Sequence, residues 1–159
     1  MAFVLQTPIV QPFVLYEIDP SGEAKVFFRQ VSTAETQVRD QLVFSGQART
    51  MTDSGVTVER TLPWSLREEI EVRLTLCGAE GIFLSDGKTP LFRFKNDTLS
   101  MNPDQFHEAW GKLPSPVASI IHEKCLDANP DWDWRSNPTP VVPSLPEQNG
   151  EESEAEETN

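Results

Sequence analysis

Ser65-Leu66-Arg67-Glu68-Glu69-Ile70-Glu71-Val72-Arg73-Leu74-Thr75-Leu76-Cys77-Gly78 is the stretch on which the fold turns. Leu66, Ile70, Leu74 and Cys77 recur at helical spacing, Ser65 and Glu68 stand as a capping box, and Gly78 is a natural C-terminal stop. The same residues also alternate, with Ile70, Val72, Leu74 and Leu76 set against Glu71, Arg73 and Thr75, as along a strand. Cap, stop and the Glu, Arg and Leu content favour the helix, while the alternation keeps the strand open. On the helical reading Glu68, Glu69 and Glu71 lie with Arg67 and Arg73 on an ordinary solvated face.

Towards the N-terminus, Phe13 to Ile18 and Ala24 to Gln30 are β-prone runs separated by Asp19-Pro20-Ser21-Gly22, which suits a type I turn and predicts a β-hairpin. Ser32-Thr33-Ala34-Glu35 is a second capping box and predicts a helix from Thr33 to Phe44, ended near Gly46. Residues 45–63 are polar and turn-rich, with Val56 to Val58 as an isolated strand. Towards the C-terminus, Ile82 to Leu84 and Leu91 to Phe94 flank Ser85-Asp86-Gly87-Lys88 and predict a second short hairpin, after which Asn96-Asp97-Thr98 reads as a loop.

Asn102-Pro103-Asp104-Gln105 supplies an N-cap, a Pro at the first helical position and a Gln at the third, and Phe106, Ala109, Trp110 and Leu113 then form one apolar stripe. Ser115-Pro116 starts another helix in the same way, with Val117, Ile120, Ile121 and Cys125 on one face and Asn129-Pro130 as its stop. The expectation is an α+β fold: a small single domain over residues 1–134 with an N-terminal hairpin, a second short hairpin and about four helices. A disordered, Pro-rich and acidic tail follows over residues 135–159, where little apolar surface offsets ordering entropy.

The chain carries 13 Lys and Arg against 25 Asp and Glu. Six of the Glu lie between Glu147 and Asn159 with no basic residue, leaving 19 acidic and 13 basic side chains over residues 1–146. A mildly acidic body without a basic patch argues against nucleic acid as a partner. No secretory signal follows Met1, and no apolar run of about 18 residues exists to span a bilayer, so the expected location is the cytoplasm and no membrane partner is expected. There Cys77 and Cys125 stay free and buried.

Residues suited to chemistry are few. His122 and Cys125 are three apart on a helix, adjacent on its surface, but a tetrahedral metal set requires recruiting Cys77 and His107 from distant segments without the short paired spacing of structural zinc sites. The reading is that Cys125 lies in the core and His122 at the helix edge, with no metal, cofactor or catalytic residue assigned. The aromatic residues carry more information. Trp132 and Trp134, in Asp131-Trp132-Asp133-Trp134 beyond the helix stop, either fold back onto the body or await a partner.

Val72-Arg73-Leu74-Thr75-Leu76-Cys77, the turn Asp86-Gly87-Lys88-Thr89-Pro90-Leu91-Phe92, the Phe106 to Leu113 helix and the Ile120 to Asn129 helix resemble the tail assembly chaperones of long-tailed, siphovirus-type bacteriophages. In that family a helix ends in an acidic Gly turn followed by a short Leu-Phe segment, and two helices follow, closing near an Asn. The resemblance covers about residues 20–132, and Gly78 to Ser85 departs from it as an insertion before the turn. It implies a non-enzymatic protein of tail morphogenesis in the host cytoplasm. Such a protein binds the tape measure protein, helps recruit the major tail protein and is absent from the mature virion.

The two C-terminal stripes cannot both be buried solely against each other. The partner-binding surface, or a face for self-association, is therefore placed at Phe106, Trp110, Leu113, Ile121, Trp132 and Trp134, with Trp110 as the anchor. Two other classes compete: an acidic decoy that mimics DNA or binds a host factor, and a structural connector subunit.

Overall fold

The computed structural model describes residues 2–3, 9–44, 49–51, 57–59 and 62–133. The expected tail over residues 135–159, Trp134 and the helix stop at Gly46 lie outside them.

The deciding stretch is helix and strand in succession. Helix α2 spans Trp64–Thr75 and passes without a loop into strand β5, Leu76–Glu80. The expected helix through Cys77 is therefore cut two residues short. At the junction Thr75 Oγ1–H donates back to the Glu71 carbonyl (2.8 Å), competing with the helical ladder, and Leu76 turns extended at φ −69° and ψ 118° while its N–H still reaches Val72 O. Gly78 is no helix stop. It sits in the strand beneath the Phe27 ring, where a Cβ would stand 3.0 Å from Phe27 Cδ2. The Ser65 capping box does not form either: the helix begins at Trp64 with Pro63 as its N-cap and no side-chain cap bond.

Three strands surround that splice. Strands β1, Val10–Val14, and β2, Lys25–Arg29, form the expected N-terminal hairpin, and β2 also pairs antiparallel with β5, giving the order β1-β2-β5. The first strand lies earlier than the Phe13 to Ile18 run. Asp19 and Ile18 both donate backbone N–H groups to Leu15 O, so Leu15 to Ile18 belongs to the turn. The turn itself is as expected: Gly22 N–H reaches Asp19 O (3.0 Å), and the Asp19 carboxylate accepts from Ser21, Glu23 and Ala24 N–H groups.

Gln30 N–H to Ile9 O and Leu15 N–H to Ala24 O set the phase of the β1 ladder, in which odd-numbered backbone groups face β2 and those of Val10, Pro12 and Val14 face the open edge. Pro12 thus removes the N–H that the middle of this edge would offer to another strand. Strands β3, Arg49–Met51, and β4, Thr57–Glu59, form a separate pair, so Thr57 and Val58 of the strand expected at Val56 to Val58 are partnered rather than isolated, and Val56 lies outside the described residues.

The Asp86-Gly87 hairpin is reduced to a loop with one bridge, Phe83 to Pro90, and three backbone bonds, Leu84 N–H to Thr89 O, Gly87 N–H to Leu84 O and Leu91 N–H to Ile82 O. A true strand pair forms just after it, between β6, Phe94–Lys95, and β7, Thr98–Leu99. It turns at Asn96 and Asp97, whose φ of 52° and 58° are those of a two-residue type I′ turn. The segment read from sequence as a loop is therefore the tightest hairpin described.

Helix α1, Thr33–Phe44, carries its capping box, with Glu35 N–H on Ser32 Oγ and Ser32 N–H on Glu35 Oε2. Helix α3, Pro103–Gly111, has both bonds of the Asn102/Gln105 box. Helix α4, Ser115–Ala128, starts one residue early, with Pro114 rather than Ser115 at its N-cap, and closes at Asn129. Asn129 then joins helix to sheet: its Oδ1 accepts from Val31 N–H (3.0 Å) and its Nδ2 donates to Arg29 O (3.1 Å).

Helix α2 is packed by α1, α3 and α4, and α4 also lies on β2. Leu15 from the turn and Val26 and Phe28 from the sheet join Val72, Leu91, Phe92, Phe106, Ile121 and Cys125 in one core, where the Phe92, Phe106 and Trp110 rings stack at 5.5 and 5.8 Å. The fold is α+β, as expected. Among the described residues no helix is long and apolar enough to cross a membrane.

Candidate functional site

Because α2 is enclosed on several sides, the face read as solvated is the buried one. Glu68, Glu69, Glu71, Val72 and Thr75 are buried, whereas Leu66, Ile70 and Leu74 are only half-buried. Glu71 is fully covered and organises the cluster: Oε1 accepts from Arg39 Nε (3.0 Å), Arg39 Nη2 (2.6 Å) and Arg67 Nε (3.0 Å), and Oε2 accepts from His122 Nε2–H (2.7 Å). One carboxylate thereby ties together α1, α2 and α4. Burial pushes the Glu71 carboxyl up, but the His122 hydrogen bond, followed by Arg39 and Arg67, outweighs burial and holds it below its ordinary value. His122, placed at a helix edge by the sequence reading, is in fact buried within this cluster.

Aromatic rings cover the cluster at both ends. Trp64 stands edge-on to the His122 ring at 5.8 Å, lies 5.3 Å from the Arg67 guanidinium, and donates Nε1–H to Glu68 Oε1 (2.7 Å). Trp132 lies 5.2 Å from the Arg39 guanidinium and donates Nε1–H to Thr36 Oγ1 (3.3 Å). Asp40 also meets Arg39, at 2.7 Å. Lateral to these, His107 Nδ1 meets Glu69 at 2.7 Å, which raises the His107 pKa through that hydrogen bond and the Glu69 charge.

Cys125 lies beneath Glu71, 3.2 Å from Thr75 Oγ1 and within reach of the Glu71 carbonyl. Burial pushes its thiol up to about 12, so it is held as a neutral thiol and is no nucleophile. His122 and Cys125 share one helix but serve different partners, a carboxylate and a hydroxyl. Cys77 and Cys125 are both free and buried, and burial raises the Cys77 pKa as well. Among the described residues no group of three or more His, Cys, Asp or Glu is arranged to hold a metal. What the cluster does chemically is hold charge in a fixed geometry. Each buried polar group of the cluster is engaged by another, while Asp40, 46% exposed, lines an open groove beside Trp132.

Of the residues assigned to a partner from sequence, Trp132 covers one end of this cluster and the other described ones lie in or beside the core. Phe106, Trp110, Ile121 and Trp132 are core side chains, from 0% to 7% exposed, and Leu113 is half-buried beside them. The inference that two apolar stripes cannot cover each other alone was sound, but α2, Phe92 and the inner sheet face supply the missing cover. Trp132 folds back. Arg39, Arg67, Glu71 and His122 were missed, and the available signal was that α2 bears apolar residues on every side, the mark of an enclosed helix.

No protein-family model, no curated protein and no solved structure matches the chain.

Proposed function

We propose that the chain is a non-enzymatic binding protein of phage tail morphogenesis, a tail assembly chaperone that engages the tape measure protein, helps recruit the major tail protein in the host cytoplasm and leaves before the virion is complete. The observation that supports this reading is the order of its elements. Helix α2 is followed by strand β5, the Asp86-Gly87 turn, Leu91 and Phe92 entering the core, the β6-β7 pair, and then α3 and α4 closing at Asn129. The turn, the Leu-Phe segment and the two closing helices come in the order in which the sequence resembles the family, with β5 and the β6-β7 pair interposed. The closed geometry around Glu71 accords with a structural role for its charges. Burial of Glu68, Glu69 and Glu71 also removes three carboxylates from the surface that an acidic DNA mimic needs.

The test is coexpression with the tape measure protein that this reading names as its partner. A rise in that protein's soluble yield, together with absence of this chain from purified virions by mass spectrometry, is the expected result. Presence in virions at fixed stoichiometry would make it a connector subunit instead. Trp110→Ala is unsuitable as a binding probe, because truncating a core Trp costs about 3–5 kcal/mol of stability.

A further inference from the structure

We propose that two adjoining grooves sharing Met101 form one docking surface for a segment of another protein in which apolar side chains are flanked by Asp or Glu. The first, of about 360 Å³, lies between the Leu84 to Pro90 loop and α3. The second, of about 490 Å³, lies between the α2–β5 junction and β7. Each is on the scale of clefts that take a ligand, about 300–1,000 Å³. Half-buried Leu84 and exposed Pro90 give the first groove apolar surface, and half-buried Leu74 and Leu99 give it to the second. Met101, itself half-buried, lines both, and its unbranched thioether adapts to apolar side chains of different shape.

Charge decides what this surface accepts. The chain carries a net charge of −12, yet Arg93 and Lys112 line the first groove and Arg29 and Arg73 the second, against Glu108 and Asp97. Arg29 is already answered by Glu35 and the Leu74 carbonyl. Among the described residues, Arg73 and Arg93 have no carboxylate in ion-pair contact, and Lys112 has only Glu108, at 4.0 Å. Cations are thus open beside apolar surface in both grooves, reversing the sign of the chain as a whole. That local reversal directs a carboxylate-bearing segment to this face, and like charge elsewhere keeps it from other faces. The proposal does not depend on the tail assembly reading.

The test uses the full-length protein and a fluorescein-labelled peptide, Glu-Leu-Glu-Gly-Leu-Glu, followed by fluorescence anisotropy. Saturable binding is expected. Arg93→Glu, at an exposed position, should weaken it about tenfold, and Arg73→Gln should weaken it as well. Lys25→Glu makes the same change in net charge as Arg93→Glu but lines neither groove, and should leave binding within about twofold. Circular dichroism checks that each variant is folded. In protein labelled at its three methionine methyl groups, the Met101 signal, assigned by Met101→Leu, should move on titration. The proposal is overturned if no saturable binding occurs, if Lys25→Glu weakens binding as much as Arg93→Glu, or if the Met101 signal stays fixed. It is also overturned if a peptide with Lys for Glu, or with Ser for Leu, binds as tightly. Nuclear Overhauser contacts in the free protein from Met101 to the chain's own Glu-rich stretch, residues 147–157, would name the chain itself as the occupant and overturn it too.

Discussion

Replacing Glu71 by Gln keeps the shape of the cluster and removes its one fully buried negative charge. The amide oxygen can still accept from Arg39 and Arg67, and the amide nitrogen then faces His122, which can turn its ring proton to Nδ1 and accept at Nε2. The bonds are therefore largely preserved, and what is lost is the counter-charge of two arginines whose side chains are only 8% and 20% exposed. Breaking a buried pair in this way costs about 3–5 kcal/mol. Glu71→Leu adds about 1–3 kcal/mol for each stranded donor, a total comparable to the whole stability of a domain this size. It is expected to be largely unfolded.

Combining Glu71→Leu with Arg39→Met, Arg67→Met and His122→Leu should be much milder than Glu71→Leu alone, because no charge is then left buried without a partner. Urea unfolding followed by circular dichroism measures all three. The pH dependence supplies an independent check. Since the folded pKa of Glu71 is depressed, its contribution is present above the unfolded value of about 4.3 and is lost as pH falls through the folded value. The gap between wild type and Glu71→Gln should accordingly narrow in acid. A cost below about 1 kcal/mol at neutral pH, or a gap that does not change in acid, would refute the reasoning.

Three further outcomes are expected. His107, with its pKa raised by Glu69, contributes stability below its unfolded value of about 6.5 and loses it as pH rises through the folded value, so the urea midpoints of wild type and His107→Gln should converge on the alkaline side. Asn129→Ala strands Val31 N–H and Arg29 C=O and should cost about 2–4 kcal/mol by denaturant titration, whereas Asn129→Asp keeps the acceptor for Val31 and should cost less. Pro12→Val restores an N–H at the centre of the open β1 edge and should leave the melt nearly unchanged while promoting concentration-dependent self-association in sedimentation velocity; a strictly monomeric variant would count against the edge argument.

Local chemistry was the part of the fold that could be read from sequence. Asn102 and Gln105, Ser32 and Glu35, and the Asp19 turn depend on neighbours within four residues or so, and each formed as read. Boundaries that depend on distant partners were not readable. Whether Gly78 ends a helix or lies in a strand is decided by Phe27, fifty-one positions earlier in the chain, and the burial of Glu71 is decided by Arg39 and His122 from two other helices. A run of Glu and Arg on one helix looks the same whether its partner is water or a buried guanidinium. The burial of Trp110 was hidden for a related reason: an apolar stripe indicates that something covers it, and only the tertiary arrangement shows that Phe106, Phe92 and α2 pack on that side.

The direct passage of α2 into β5 leaves this part of the gene with no slack for insertions and deletions. One residue added near Thr75 would turn the preceding helix by about 100° relative to the strand, carrying Glu71 away from Arg39 and His122, or else would exchange the two faces of β5 and move Leu76 out of the core. Length changes in descendants of this sequence should therefore collect in the loop from Gly81 to Pro90, whose tip is exposed, and be absent from residues 71–80.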